Sequence, residues 1–241
     1  MPKTANQSIA DRVHDLDWDA ITDSLFSHGF ALTAPVLSGA QCRNIAKMFN
    51  NDDLFRKTVN MAQHRFGSGV YKYFKYPLPE NISELRTAAY EYLAPIANAF
   101  NEALNRPERF PSKHEQFLKL CHKAGQTRPT PLVLHYEEGD FNCLHQDLYG
   151  ELAFPLQITA FLSERETNYT GGEFLLQEQM PRAQSRVHVL KPEQGQLVIF
   201  ATTYRAERTT RAFRKVNMKH GVATVESGKR DTLGIIFHDA K

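Results

Sequence analysis

His145, Gln146 and Asp147 put an imidazole and a carboxylate two residues apart. On an extended backbone side chains alternate, so both point to one face and reach one metal ion. A third donor completing two histidines and one acid leaves half of an octahedral Fe(II) open to a co-substrate and oxygen. Three histidines lie downstream: His188, His220 and His238. Only His220 has a suitable sequel. The run His220-Gly-Val-Ala-Thr-Val, a turn at Glu226-Ser-Gly, and Arg230-Asp-Thr232-Leu-Gly-Ile-Ile-Phe read as a β-hairpin. That hairpin returns Arg230 towards His220, both facing inward. A guanidinium inside a barrel is costly without a carboxylate, and a bound ligand can bring one, gripped in bidentate fashion. Thr232 shares the face of Arg230 and adds a hydroxyl. His188 and His238 are read as structural, and the plain alternative for Arg230 is a surface pair with Asp231 or Glu226.

These side chains need a scaffold. The chain has 241 residues, 41% hydrophobic and 23% charged, with a formal net charge of +2. That suits a soluble globular protein with one sizeable core and says little about partners. Three scattered cysteines, Cys42, Cys121 and Cys143, argue against a disulfide framework or a structural zinc site; Cys143 is expected to be buried and inert beside the site. The polar start lacks the apolar core of a signal peptide, and no apolar run reaches the roughly 20 residues of a membrane helix. A cytoplasmic protein is expected.

Residues 1–15 read as frayed. Asp17 to His28 predicts a helix stopped by Gly29, followed by a strand over Phe30 to Leu37. Ser38 to Gln41 and Ser112 to Glu115 have the capping-box form and predict two helix starts. Asn81 to Asn105 predicts a long amphipathic helix, kinked at Pro95. The aromatic and basic segment 65–76, with Gly67 and Gly69 at a turn, predicts a hairpin that is either a substrate lid or core packing.

After Gln126 the texture changes to short apolar runs broken by Gly, Pro and Asn: 131–136, 156–162, 173–177, 186–190, 196–200, 222–226 and 232–237. Such spacing predicts an antiparallel barrel or sandwich. The expected architecture is α+β, with a helical support over 1–127 and a barrel core over 128–241.

The set His145, Asp147, His220 and Arg230 resembles the motif of the Fe(II)/2-oxoglutarate-dependent dioxygenase superfamily, whose barrel is a double-stranded β-helix (a jelly-roll, cupin-like fold). The resemblance implies that His145, Asp147 and His220 hold Fe(II), and that 2-oxoglutarate chelates it as co-substrate. Arg230 and Thr232 would bind the distal carboxylate, and Tyr136 would line the pocket. Gly171-Gly172-Glu173 resembles the Gly-Gly turn leading into a middle barrel strand. The reaction would consume O2 and release succinate and carbon dioxide, with ascorbate as a stimulant.

The runs Tyr71-Lys-Tyr-Phe-Lys-Tyr-Pro-Leu-Pro, Asn142-Cys-Leu-His-Gln-Asp-Leu-Tyr-Gly and Leu233-Gly-Ile-Ile-Phe-His-Asp-Ala are similar to the bacterial Oxygenase-NA family, which implies oxidative demethylation of damaged nucleic acid. Two positions depart from related patterns. AlkB-type demethylases carry a second Arg six residues after the first, where this chain has Ile236. Many prolyl hydroxylases place a Tyr where this chain has Phe161, and Gln157 or Thr159 on the same face can supply its hydrogen bond.

Arg205, Arg208, Arg211, Arg214, Lys215 and Lys219 precede the distal histidine, with Arg182 and Arg186 nearby. They read either as a solvated face or as a basic rim for an anionic substrate. Three functions stay open: a dioxygenase acting on alkylated nucleic acid, the same chemistry on a protein side chain or small molecule, and a non-enzymatic barrel that binds metal or an oxo-acid. No membrane partner is expected, and the oligomeric state stays open.

Overall fold

The computed structural model describes residues 7–147, 150–180, 182–210 and 212–241. Two antiparallel sheets face each other. The larger runs in the order β1 (Phe30–Leu32), β11 (Leu197–Ala201), β7 (Leu156–Phe161), β14 (Val225–Ile235), β5 (Leu132–Glu137), β4 (Val70–Phe74) and β2 (Phe55–Asn60), with β8 (Tyr169–Gly171) beside β14. The smaller runs in the order β10 (Arg186–Leu190), β9 (Phe174–Gln179), β13 (Phe213–Val222), β6 (Phe141–His145) and β3 (Gly67–Ser68), with β12 (Tyr204–Arg208) beside β13. This is the expected double-stranded β-helix architecture. The first half of the chain does more than support it, since β1, β2 and β4 lengthen the larger sheet and β3 joins the smaller one.

Strand β7 shows how the sequence builds the interior. All six of its residues are buried. Leu156, Ile158 and Ala160 belong to the core shared with the helices, while Phe161 belongs to the core between the sheets and Gln157 and Thr159 line the cavity there. Polar residues at alternate positions of an otherwise apolar strand therefore mark the cavity side.

The helices share a core with one face of the larger sheet and also reach β12 of the smaller one. α1 (Ile9–His14) starts at a Ser8–Asp11 capping box, so residues expected to be frayed are helical; residues 1–6 lie outside the described residues. α2 (Trp18–His28) is capped by Asp17 and stopped by a left-handed Gly29, as read. α3 (Gly39–Met48) uses the Ser38–Gln41 capping box. α4 (Glu80–Ala103) runs on through Pro95 and buries Ile82, Leu85, Leu93, Ile96 and Phe100. α5 (His114–Lys123) lacks the box expected at Ser112: Lys113 is its N-cap and no side chain caps it. His114 instead turns inward and bonds the Phe237 carbonyl. Buried Arg86 of α4 donates to the carbonyls of Ile236 and His238 and pairs with Asp239 at 2.9 Å. This fixes the chain just beyond β14 to the helical layer. Among the described residues, no helix is long and apolar enough to cross a membrane.

Several strands differ from the reading. The strand expected from Phe30 to Leu37 stops at Leu32. The 222–226 run is interrupted between Val222 and Val225, where Ala223 donates to Glu173 O and Thr224 O accepts from Gly172 N. His220 and Arg230 are therefore not on one hairpin. Strand β13 pairs within the smaller sheet and β14 within the larger, so Glu226-Ser-Gly is part of a strand and not a turn. The two residues face each other across the gap between the sheets.

Candidate metal and co-substrate site

Strand β6 ends at His145, which stands opposite His220 of β13 in register. Asp147 lies just past the strand end, not on it as expected. The three side chains nevertheless converge, with one ligand atom of each lying within 4.8 Å of the others. His145 Nε2 is 3.5 Å from Asp147 Oδ1, and His220 Nε2 is 3.4 Å from Asp147 Oδ2. These separations exceed an ordinary hydrogen bond and leave room for a cation between the donors. His145 Nδ1 bonds the Cys143 carbonyl at 2.7 Å. As the donor, Nδ1 leaves the Nε2 lone pair free for a metal. The His220 ring lies beside Phe200 and Phe174.

Electrostatics support the same set. Burial opposes charge on Asp147, but His220 and His145 outweigh it and hold the carboxyl well below its ordinary range. Burial drives the His220 imidazole down, towards the neutral form that binds metal. For His145 burial also opposes charge, yet the neighbouring Asp147 carboxylate raises it.

Gln146 lies between the two proximal donors. Its amide donates to Thr203 O and Met218 O, both at 2.8 Å. No signal in the sequence distinguishes this clamp from a solvated glutamine.

The expected co-substrate residues all stand on the opposite sheet. Arg230 and Thr232 are on β14, Gln157 and Thr159 on β7, and Tyr136 on β5, where it pairs with Arg230 in register. With the triad they line a cavity of about 460 Å³. Arg230 is 1% exposed, and none of its three guanidinium nitrogens has a hydrogen-bond partner among the described residues. Among the described residues the surface pair with Asp231 or Glu226 does not form: Arg230 is buried, and Asp231 bonds His135 instead. Three rings, Phe161, Tyr136 and Tyr169, surround its guanidinium with centroids at 5.3, 5.4 and 5.9 Å. Burial pushes the Tyr136 phenol up to about 12, so it stays neutral.

Behind Arg230, Gly172 adopts φ +59, and a Cβ there would come within 2.9 Å of Arg230 Cδ. The Gly-Gly turn thus makes room for the buried arginine. Gln157 Oε1 is also buried without a partner among the described residues. A buried cation that lacks a counter-charge costs several kcal/mol, and a ligand carboxylate satisfies it. The donor set and this guanidinium together fit Fe(II) and a dicarboxylic oxo-acid.

Other expectations need correction. Cys143 lines the cavity but is exposed. Arg205 is not on a solvated face: it is 3% exposed and paired with Glu178 at 2.8 Å and Glu207 at 3.0 Å. Arg214 also pairs with Glu207, Lys215 and Lys219 point outward, and Arg211 lies outside the described residues. His188 bonds Glu178, and His238 accepts from the Phe154 backbone, the structural roles expected of them. Segment 65–76 is split: Arg65 and Phe66 line the cavity mouth with Met61, while Val70 to Phe74 pair into the larger sheet.

Comparison with known proteins agrees with this geometry. The family model Oxygenase-NA, described as an oxygenase catalysing oxidative methylation of damaged DNA, matches residues 69–240. Two uncharacterized proteins of Mycobacterium tuberculosis are each 48% identical over 167 residues, covering 69% of this chain and 72% of theirs. Among solved structures, a prolyl-4-hydroxylase of Pseudomonas putida superposes with a TM-score of 0.54 at 16% identity, covering 93% of this chain and 99% of that one. A 2OG-Fe(II) oxygenase family oxidoreductase of Burkholderia pseudomallei does so with a TM-score of 0.53 at 13% identity, covering 98% and 94%. These two share the fold, and the triad is a donor set that could hold a metal ion such as Fe(II). The chain belongs to the Oxygenase-NA family and is an oxidoreductase with the fold of the 2-oxoglutarate- and Fe(II)-dependent oxygenases.

Proposed function

We propose that this protein is an Fe(II)- and 2-oxoglutarate-dependent oxygenase acting on alkylated nucleic acid. The observation that carries the co-substrate reading is the buried, unpartnered guanidinium of Arg230 opposite the His145–Asp147–His220 triad. The family description supports the nucleic-acid part.

In this reading His145, Asp147 and His220 hold the iron, and Arg230, assisted by Thr232, grips the far carboxylate of 2-oxoglutarate. Tyr136, Gln157 and Thr159 line its path. When bound, iron and 2-oxoglutarate supply the oxidising chemistry: O2 and 2-oxoglutarate are converted to succinate and carbon dioxide as one oxygen atom enters a substrate C–H bond. On an N-methyl group the resulting alcohol collapses to formaldehyde and the free base. The apolar walls of the cavity, including Leu134, Phe174 and Ile236, exclude water from the reacting group.

The test is direct. Protein supplied with iron, ascorbate and 2-oxoglutarate is expected to form succinate slowly without substrate, and to release formaldehyde when given a methylated oligonucleotide. Loss of succinate in His145→Ala and Asp147→Ala is the expected control. Succinate formation that persists in both variants overturns the site.

Ile236 favours a second reading, hydroxylation of a protein side chain. It is 2% exposed and lines the cavity where AlkB-type demethylases place a second arginine. Succinate formation stimulated by a proline-containing peptide, with no formaldehyde from oligonucleotides, would select it.

A further inference from the structure

Between β2 and β4 the chain makes a tip whose residues 62–66 are all exposed. It is pinned at its base. Met61 N donates to Gly69 O, Phe66 N to Met61 O and Cys143 N to Phe66 O, while Ser68 bonds Asp140. Gly67 and Gly69 let it lie flat: a Cβ on Gly67 would meet Phe141 O at 2.3 Å, and one on Gly69 the Tyr136 ring at 2.8 Å. Arg65 sits at φ 59, a left-handed conformation that disfavours a residue with a side chain. The fold therefore holds a strained, well-anchored tip at the cavity mouth, where such strain is commonly tied to ligand clamps.

The tip carries two groups that folding leaves unused. Phe66 lines the cavity yet is 48% exposed, and its ring stacks on His64 at 5.3 Å. Arg65 also lines the cavity and has no ion pair among the described residues. Among the described residues Asp147 is the only carboxylate in that lining, and it belongs to the triad. A mouth with a two-ring stack, an unpaired cation and no free acid complements a flat ring flanked by an anion.

We infer that this tip grips single-stranded nucleic acid: Phe66 extends its stack with His64 to a base, and Arg65 meets a flanking phosphate. The inference rests on the nucleic-acid reading above and adds to it the element that binds the strand.

Fluorescence anisotropy of a labelled single-stranded oligothymidylate, titrated with the full chain holding Mn(II) and 2-oxoglutarate at several salt concentrations, tests it. Phe66→Ala is expected to weaken binding about tenfold or more, the range that one stacked base supplies, while Phe66→Tyr binds like the parent. Arg65→Ala is expected to weaken binding and to reduce the salt slope by about one. Leu120→Ala removes an exposed apolar side chain of α5 and leaves binding unchanged. If Phe66→Ala loses its unfolding transition, Phe66→Leu takes its place, and parent-like binding by that variant overturns the stacking role. Parent protein that does not bind the strand, or a proline-containing peptide that displaces it and, with Fe(II) and O2 in place of Mn(II), becomes hydroxylated, overturns the nucleic-acid reading and the tip together. Parent binding that survives both Phe66→Ala and Arg65→Ala overturns the tip alone.

Discussion

The side-chain amide of Gln146 donates at 2.8 Å to the carbonyl of Met218, two residues before His220. One side chain thus ties the proximal pair of donors to the strand that bears the distal one, and a second bond to Thr203 O fixes its direction. Outer contacts of this kind set donor spacing. Gln146→Leu is expected to lower Mn(II) affinity about 10- to 100-fold while the far-UV circular dichroism stays that of the parent. Titration followed by electron paramagnetic resonance reads the affinity, and parent-like values would show that the clamp is only structural.

Arg230 carries opposite consequences for the ligand-free and ligand-bound protein. Its guanidinium is buried without a hydrogen-bond partner among the described residues. Arg230→Met is expected to leave the ligand-free protein as stable as the parent or more so, since an apolar side chain of similar length removes an uncompensated charge. The same variant should lose the thermal stabilisation that 2-oxoglutarate gives, about 2.7 kcal/mol at a hundredfold excess over Kd. Differential scanning fluorimetry with and without 2-oxoglutarate reads both. A variant still stabilised to the parent's extent would remove Arg230 from the co-substrate site.

Gly172 is the wall behind that arginine. Gly172→Ala introduces a Cβ within 2.9 Å of Arg230 Cδ at a residue with φ +59. A loss of about 1–3 kcal/mol in stability is expected from the conformation, together with a higher 2-oxoglutarate requirement, because the guanidinium must shift. Urea unfolding and co-substrate titration measure the two effects separately.

Acid should weaken the fold through the layer that joins the helices to the end of β14. Burial, with Arg86 adding to it, pushes the His114 imidazole down from 6.5 to about 3. Between these values the unfolded chain binds a proton that the folded chain refuses, so stability is complete above 6.5 and falls as pH drops towards 3. The slope from one such group is about 1.4 kcal/mol per pH unit at most. Asp239 acts in the same direction at lower pH. Burial opposes its charge, but Arg86 outweighs that and keeps it ionised below the ordinary carboxylate range; its contribution, full above the unfolded value, is lost as pH falls through the folded one. His114→Gln keeps a donor for the Phe237 carbonyl and removes the histidine titration. It is expected to flatten the dependence of Tm on pH between 6.5 and 4. An unchanged slope would mean that His114 contributes none of it.

The site was more legible in the sequence than the path of the chain between its parts. Alternation around Gln157 and Thr159 exposes a polar stripe in an apolar strand, and the spacing of His145, Asp147, His220 and Arg230 picks out the residues that line the cavity. The pairing of β13 and β14 was not legible. A short connection between two strands ordinarily makes a hairpin, and nothing local reveals that Val225 to Gly228 pairs with β8 and that Lys229 onward pairs with β5 and then also with β7. Gln146 was missed because its partners are backbone carbonyls, which carry no residue-type signal. The box at Ser112 failed because His114, at the position that starts the helix, is drawn into the core by Tyr90 and the Phe237 carbonyl.

The triad belongs to one sheet and its connection, whereas Arg230, Thr232, Gln157, Thr159 and Tyr136 belong to the other. A diacid that reached from the metal to the guanidinium would be a strut between two otherwise separate walls. Its length would gauge the gap, so a shorter acid could touch one wall but not brace both. Departure of succinate, which has lost the keto-acid end, would then leave the walls free to part before the next turnover.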